Sequence, residues 1–432
     1  MTLIGLRGAV GLATLAVVAG SLVPTFAASS AAADGAPAHN PRGQFLGVLP
    51  SRNNAANPSV ATSPHLNTLV TYHGGPVQHS SAVYAIFWKP PGATFPAGYA
   101  VKVAQYFTDV AHDSFTAGNP YGSDTGYFDG SGVTRRFVSY SVTAKAAIVD
   151  TLPYPANGCP NYPLLDGTTS TKCLTNAQIV TKIKSVITAH AFPTGLASQY
   201  FLFLPQGVAT CFTATSLASG GCYDPSSAQG YCAYHSFSGT GAQAVLYADM
   251  QYAAVTGCDS GQSPQGNAAD AVINGISHEH QETMTDPLGT AWYDINGAEI
   301  ADKCAFTFGL PLGFNSFGQF NEVINTHDYW LQEIWSNRAQ ACVQRNTFHQ
   351  PTASFTFAPA APLHGTPVAF HSTSHSGDGT ALTYRWTFPT GAISTVPSPT
   401  FTFPTAGAQN VTLVVFDTHG DQSKVTRTVT VH

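Results

Sequence analysis

Two hydrophobic periodicities divide this chain. Up to about residue 345, short apolar runs of strand character alternate with stretches whose apolar positions recur every three or four residues. Beyond residue 350 only short alternating runs remain. In the first part, Thr68–Tyr72, Ala82–Trp88, Arg136–Tyr140, Tyr200–Leu204 and Ala244–Asp249 read as strands, and Val101–Val110 and Ala177–His190 as amphipathic helices. A third helix is expected to begin near Asn267 and to stop at Asp286, because Pro287 disfavours the helical conformation in the residue before it. The pattern predicts an α+β domain over 66–345 and an immunoglobulin-like β-sandwich over 350–432.

The third helix carries the chemistry. At about 100° per residue, Val272, Ile273, Ile276, His280 and Met284 form an apolar stripe, while His278, Glu279, Glu282 and Asp286 share the other face with Gly275. His278-Glu-His-Gln-Glu282 follows an H-E-x-x-E pattern. In H-E-x-x-H hydrolases, two ligands one turn apart reach a single ion and the Glu beside the first acts as base. His278 and Glu282 are thus expected as metal ligands and Glu279 as the catalytic base, and similarity to zincins whose third ligand is a Glu on a following helix implies Glu299 or Asp302 as the residue completing the set. One imidazole with carboxylates suits zinc, and the acidic pair Glu299 and Asp302 also suits a calcium loop. His280 points into the apolar stripe and reads as packed. His235, His327 and Tyr329 are candidates for orienting a substrate or stabilising an oxyanion, and Asp286 is an auxiliary carboxylate. His73 and His79 flank a Gly-Gly-Pro turn and read as surface or capping residues.

Composition places this chemistry outside the cell. Charged residues make up 9% of the chain, against about 25% in ordinary soluble domains. The net charge of −6 contains no long run of one sign, which excludes a nucleic-acid footprint. Arg7, the apolar stretch 8–23 and the small residues after it predict a signal peptide over 1–27, followed by a flexible leader or short pro-segment over 28–65. No later stretch is apolar enough to span a bilayer. Eight cysteines without a C-x-x-C pair argue for disulfides in a secreted protein, with Cys159–Cys173 and Cys304–Cys342 the pairings suggested by proximity.

Several stretches together carry a family resemblance: Tyr72-His-Gly-Gly-Pro76, Phe87-Trp88, Ile276-Ser-His-Glu-His-Gln-Glu282, Asp286-Pro287, Ala291-Trp-Tyr293, Glu299-Ile-Ala-Asp302 with Cys304, Tyr329-Trp-Leu-Gln332 and Trp335-Ser-Asn337. Over about 66–345 the chain resembles the exordium-like, or phosphate-induced, family, whose plant members show G-H-E-x-x-E followed by N-P. That resemblance implies an extracellular or cell-wall setting and no particular reaction. The order of strands followed by such a helix is similar to zincin catalytic domains. Residues 350–432 resemble a PKD repeat, with Trp386-Thr-Phe-Pro-Thr-Gly391 where W-x-F-G-D-G is usual, and this implies spacing or binding to polymers and surfaces. Trp386 reads as core.

The expectation is a secreted zinc peptidase with a PKD accessory module, acting on extracellular protein or peptide. The alternative is a non-catalytic extracellular or wall-associated binding protein. A glycan-active enzyme is a distant third, since no carboxylate pair has an assignable separation.

Overall fold

The computed structural model describes residues 47–52, 68–159, 172–214, 221–225, 230–346 and 350–432. The expected signal peptide and most of the expected leader lie outside the described residues. Residues 47–52 do not. They fall within the stretch read as a flexible leader, yet Val48–Pro50 (β1) is a buried strand. Its three residues are too few to show periodicity, and its partner strand lies far along the chain.

The main sheet is completed by Ser81–Trp88 (β2), Val142–Ala144 (β3), Ile148–Asp150 (β4), Ser198–Phe203 (β5), Tyr231–Ser238 (β6) and Val245–Met250 (β7). Its order is β1-β6-β7-β5-β2-β3, with β4 also paired to β2. The pairings among β7, β5, β2, β3 and β4 are parallel, whereas β6 runs antiparallel to both β7 and β1. Parallel strands covered on both faces need continuous apolar sequence. Tyr200-Phe-Leu-Phe203 and Val83-Tyr-Ala-Ile-Phe-Trp88 supply it, each buried throughout.

Three helices accompany the sheet: Tyr99–His112 (α1), Asn176–His190 (α2) and Ala269–Thr285 (α3). Thr175 and Gln178 form a capping box at the start of α2. At the start of α3, the Asp270 carboxylate accepts the backbone N–H groups of Gln265 and Asn267, and the helix ends at Asp286 as expected. α3 packs on β6, β7, β1 and α1. Gly275 allows the close approach, since a Cβ there would lie 3.3 Å from Met250 Cε and 3.5 Å from Leu49 Cδ2. Every residue of α3 is buried, including its His and Glu side chains. A helix enclosed on all sides must find partners for its polar atoms, which makes α3 the place to look for a site.

Two expected strands are shorter than their sequence patterns. Only Thr71–Tyr72 of the first pairs, with Trp292–Tyr293, and only Arg136–Phe137 of the third, with Phe128–Asp129. All eight cysteines are paired, as Cys159–Cys173, Cys211–Cys222, Cys232–Cys258 and Cys304–Cys342, which include both expected bridges. The C-terminal part is a sandwich of one three-stranded and one four-stranded antiparallel sheet. Trp386 is fully buried at its centre, with its ring 5.0 Å from Phe355 and its Nε1–H donated to the Val396 carbonyl. Arg338 joins the two parts through a 2.6 Å contact with Asp421.

On β7, Asp249 Oδ2 accepts from Thr210 Oγ1 and Gln251 Nε2, while Oδ1 has no partner. Burial pushes this carboxyl up to about 7, against the partial opposition of those hydrogen bonds. An unfolded Asp ionises near about 3.9. Between that value and about 7 the folded chain therefore holds a proton that the unfolded chain has released, and stability falls as pH rises across the window. Thermal melts at intervals from pH 4 to pH 8 should show a shallower decline for Asp249→Asn than for the wild type.

Candidate metal centre

α3 places His278 and Glu282 one turn apart on the same face, with His278 Nε2 3.3 Å from Glu282 Oε2. The other Glu282 oxygen is held by two backbone N–H groups, those of Ala301 at 3.1 Å and Asp302 at 2.8 Å. This anchoring leaves Oε2 free to face the imidazoles. The turn that supplies those amides also carries Glu299 and Asp302. The Asp302 Oδ2 atom accepts the Glu299 N–H, and Oδ1 lies 3.4 Å from His278 Nε2. From the sheet side, His235 on β6 brings its Nε2 to 3.5 Å from Glu282 Oε2 and 3.4 Å from Glu299 Oε2.

Two groups of donors result, His235 with Glu282 and Glu299, and His278 with Glu279 and Glu282, both buried and sharing Glu282. The facing atoms lack hydrogen-bond partners: His235 Nε2, both His278 nitrogens, Glu282 Oε2, both Glu299 oxygens and Asp302 Oδ1. Orphaning one buried polar atom costs about 1–3 kcal/mol, and an unpaired buried charge costs several more. Such a cluster requires a cation or bound protons. A tetrahedral ion with ligands at about 2.0–2.1 Å sets neighbouring donors about 3.3 Å apart. The separations of 3.3, 3.4 and 3.5 Å around Glu282 Oε2 and His235 Nε2 fit that spacing. Two imidazoles among the donors suit zinc and related transition metals better than calcium, which takes oxygen ligands.

The electrostatics tell the same story of crowded charge. Burial and the nearby carboxylates Asp286, Glu282 and Asp302 raise Glu299 well above the usual carboxylate range. Burial and the Glu282 charge raise Asp302 to about 7. At Glu282, burial is outweighed by His278 and His235, which hold it at about 2. At His278, burial is outweighed by the Glu282 and Asp302 carboxylates, which favour the protonated ring. Glu279 is different. Its Oε1 accepts the Leu49 N–H at 3.3 Å, its Oε2 is unpartnered, and burial pushes it up to about 8 despite His278 and His235. A carboxylate in that range is suited to taking up and releasing a proton near neutral pH.

His278, Glu279, Glu282, Glu299 and Asp302 are brought together as the sequence predicts. His235 was expected only as an auxiliary group, and it lies among the donors. A single His in a strand buried along nearly its whole length gives no sign of what it faces, so only the packing of β6 beside α3 reveals this. His327 and Tyr329 are corrections. Both contact Asp109 of α1, His327 through Nδ1 at 2.8 Å and Tyr329 through its hydroxyl at 2.5 Å, and so fasten a hairpin to that helix. Asp286 accepts the N–H groups of Thr290 and Ala291 through Oδ1, closing the turn after α3, while its buried Oδ2 is unpartnered. His280 packs as expected, between Ser81 Oγ and the Tyr121 hydroxyl, with burial holding it neutral at about 3. His73 stacks on Tyr293 and His79 pairs with Asp129, so neither joins the cluster.

Residues 354–431 match the PKD domain family. Pre-pro-metalloprotease PrtV of Vibrio cholerae is 36% identical over 69 residues, which make up 16% of this chain and 8% of PrtV. Protein EXORDIUM-like 3 of Arabidopsis thaliana is 31% identical over 102 residues, 20% of this chain and 29% of that protein. The chain thus spans only a minor part of either relative's length. Among solved structures, the PKD1 domain of Vibrio anguillarum Epp is 31% identical, with 19% of this chain and 94% of that one covered and a TM-score of 0.18. The C-terminal sandwich is a PKD domain, and the resemblance of the first part to exordium-like proteins has distant support. No helix among the described residues is long and apolar enough to cross a membrane.

The fastening role of Tyr329 gives a direct expectation. Tyr329→Phe removes a buried hydroxyl from Asp109 and should lower stability by about 1–3 kcal/mol in urea unfolding.

Proposed function

We propose that the first domain is a secreted zinc-dependent peptide hydrolase and that the PKD domain is an accessory module that spaces it from, or binds it to, a polymer or surface. The observation that carries this reading is the convergence of unpartnered donor atoms in two buried groups that share Glu282, one completed by His235 and Glu299 and the other by His278 and Glu279. His278, Glu282 and Glu299 are the ligands, and Asp302 orients His278. A zinc ion in this position supplies Lewis acidity and lowers the pKa of a water molecule. With its Oε2 unpartnered, Glu279 would serve as the base that takes up a proton from the attacking water and passes it to the leaving amine. His235 lies beside Glu282 and Glu299, where it would hydrogen-bond the carbonyl oxygen of the scissile peptide. The mixed sheet followed by a helix bearing H-E-x-x-E supports a zincin-like reading, and the PKD domains of a metalloprotease such as PrtV suit the accessory role.

One observation favours a second reading. His235 shares a buried donor group with Glu282 and Glu299, and if it is a permanent ligand alongside His278, the four protein ligands would close the site, as in a structural zinc. The protein would then be a non-catalytic binding protein with a silent ion.

Metal analysis and peptide hydrolysis separate the two. Wild type should carry about one zinc per chain, and Glu282→Ala should lose it. Glu279→Gln should keep the zinc and lose hydrolysis of a mixed peptide pool. The hydrolase reading also expects His235→Ala to retain zinc while kcat falls about 10²–10³-fold. Loss of zinc from His235→Ala, with a metal-replete but inert wild type, would establish the structural ion instead.

A further inference from the structure

β1 lies along the one edge of the main sheet that borders the cluster, and its contacts differ from those of an ordinary edge strand. It pairs antiparallel with β6, Val48 opposite Tyr234 and Leu49 opposite Ala233, directly beside His235. The Gly47 carbonyl accepts the His235 N–H at 2.9 Å. Gly47 has φ +67°, and a Cβ there would lie 2.3 Å from His235 Nε2, so only glycine lets the main chain pass this close to the imidazole. Two residues on, the Leu49 N–H donates to Glu279 Oε1. The Leu49 side chain is buried beside Gly275 of α3. Ser51 and Arg52 continue the run, donating their N–H groups to the carbonyls of Gly230 and Gly257.

An extended backbone thus crosses the cluster with one carbonyl on the His235 amide, one N–H on the Glu279 carboxylate and one apolar side chain set against the helix. These are the contacts of a peptide added to a sheet edge, in which the main chain supplies affinity and alternate side chains supply specificity.

We infer that the groove between β6 and α3 is the binding site for an extended peptide with an apolar residue at the position of Leu49, and that residues 47–51 hold it closed in cis. This rests on the hydrolase reading for the identity of the peptide as substrate, but the occupancy itself does not. A tethered occupant acts at an effective concentration of order millimolar, so free peptides of ordinary affinity compete poorly with it and the wild type works at a reduced rate until it is displaced.

The test uses the zinc-treated full chain, with Leu49→Asp to drive the segment out and Gly47→Val as a second route, since its side chain collides with the His235 ring. Amide hydrogen exchange at 47–52 reports release. A fluorescent peptide of sequence 43–52 is then titrated against each protein, with a Leu-to-Asp version of the peptide as control. The expected result is loss of protection in at least one variant and binding of the labelled peptide to that variant at least about tenfold tighter than to wild type, with no binding of the control peptide. Unchanged protection in both variants, or a released variant that binds the peptide no better than wild type, overturns the inference and makes β1 a fixed strand of the fold. Peptide hydrolysis by the released variant is read separately. Tight peptide binding without hydrolysis keeps the groove and rejects the enzyme, whereas hydrolysis by wild type that release does not accelerate keeps the enzyme and rejects the closed groove.

Discussion

Glu282 is the point on which the first domain turns. Its Oε1 is fixed by the backbone amides of Ala301 and Asp302, and its Oε2 faces the His278 and His235 rings. Three parts of the chain meet through one carboxylate: α3, the turn that follows it, and β6. The group is fully buried, so its charge has no water to solvate it, and the two imidazoles hold it ionised. Around it gather more carboxylates than the fold provides hydrogens for. That imbalance is costly for a purely structural core and is what a cation site requires.

The surrounding architecture serves to keep this cluster in place. The parallel strands form a continuous apolar floor, and Gly275 lets α3 settle on β6 and β7. His280, on the opposite side of α3, is held neutral between Ser81 and Tyr121 and fixes the rotation of the helix. The Cys304–Cys342 bridge ties down the chain just beyond the turn that carries Glu299 and Asp302. The polar face of α3 can therefore be enclosed without collapsing.

Much of this was legible in the sequence. The third helix and the separation of His278 and Glu282 from His280 follow from periodicity, because neighbours on a helix face are set by local geometry, whereas Glu299 and Asp302 are suggested only by the ligand spacing of zincins. The PKD sandwich follows from regularly spaced alternating strands. What was not legible depends on contacts between distant segments. His235 and Glu282 are brought together only by the placing of β6 against α3. Val48–Pro50 looked like leader because three residues carry no period, and its partner lies nearly two hundred residues away. His327 and Tyr329 were attractive as chemistry, but the Asp109 carboxylate that claims them sits on a helix whose apolar pattern gave no hint of it.

The central claim is that these unpartnered atoms are ligands. X-ray absorption at the zinc edge, on protein loaded with one equivalent of zinc, tests it most directly. The account predicts a shell of nitrogen and oxygen alone at about 2.0–2.1 Å, with the outer scattering of imidazole, lost in Glu282→Ala. Zinc bound through sulfur, or a spectrum without imidazole that Glu282→Ala leaves unchanged, would contradict it.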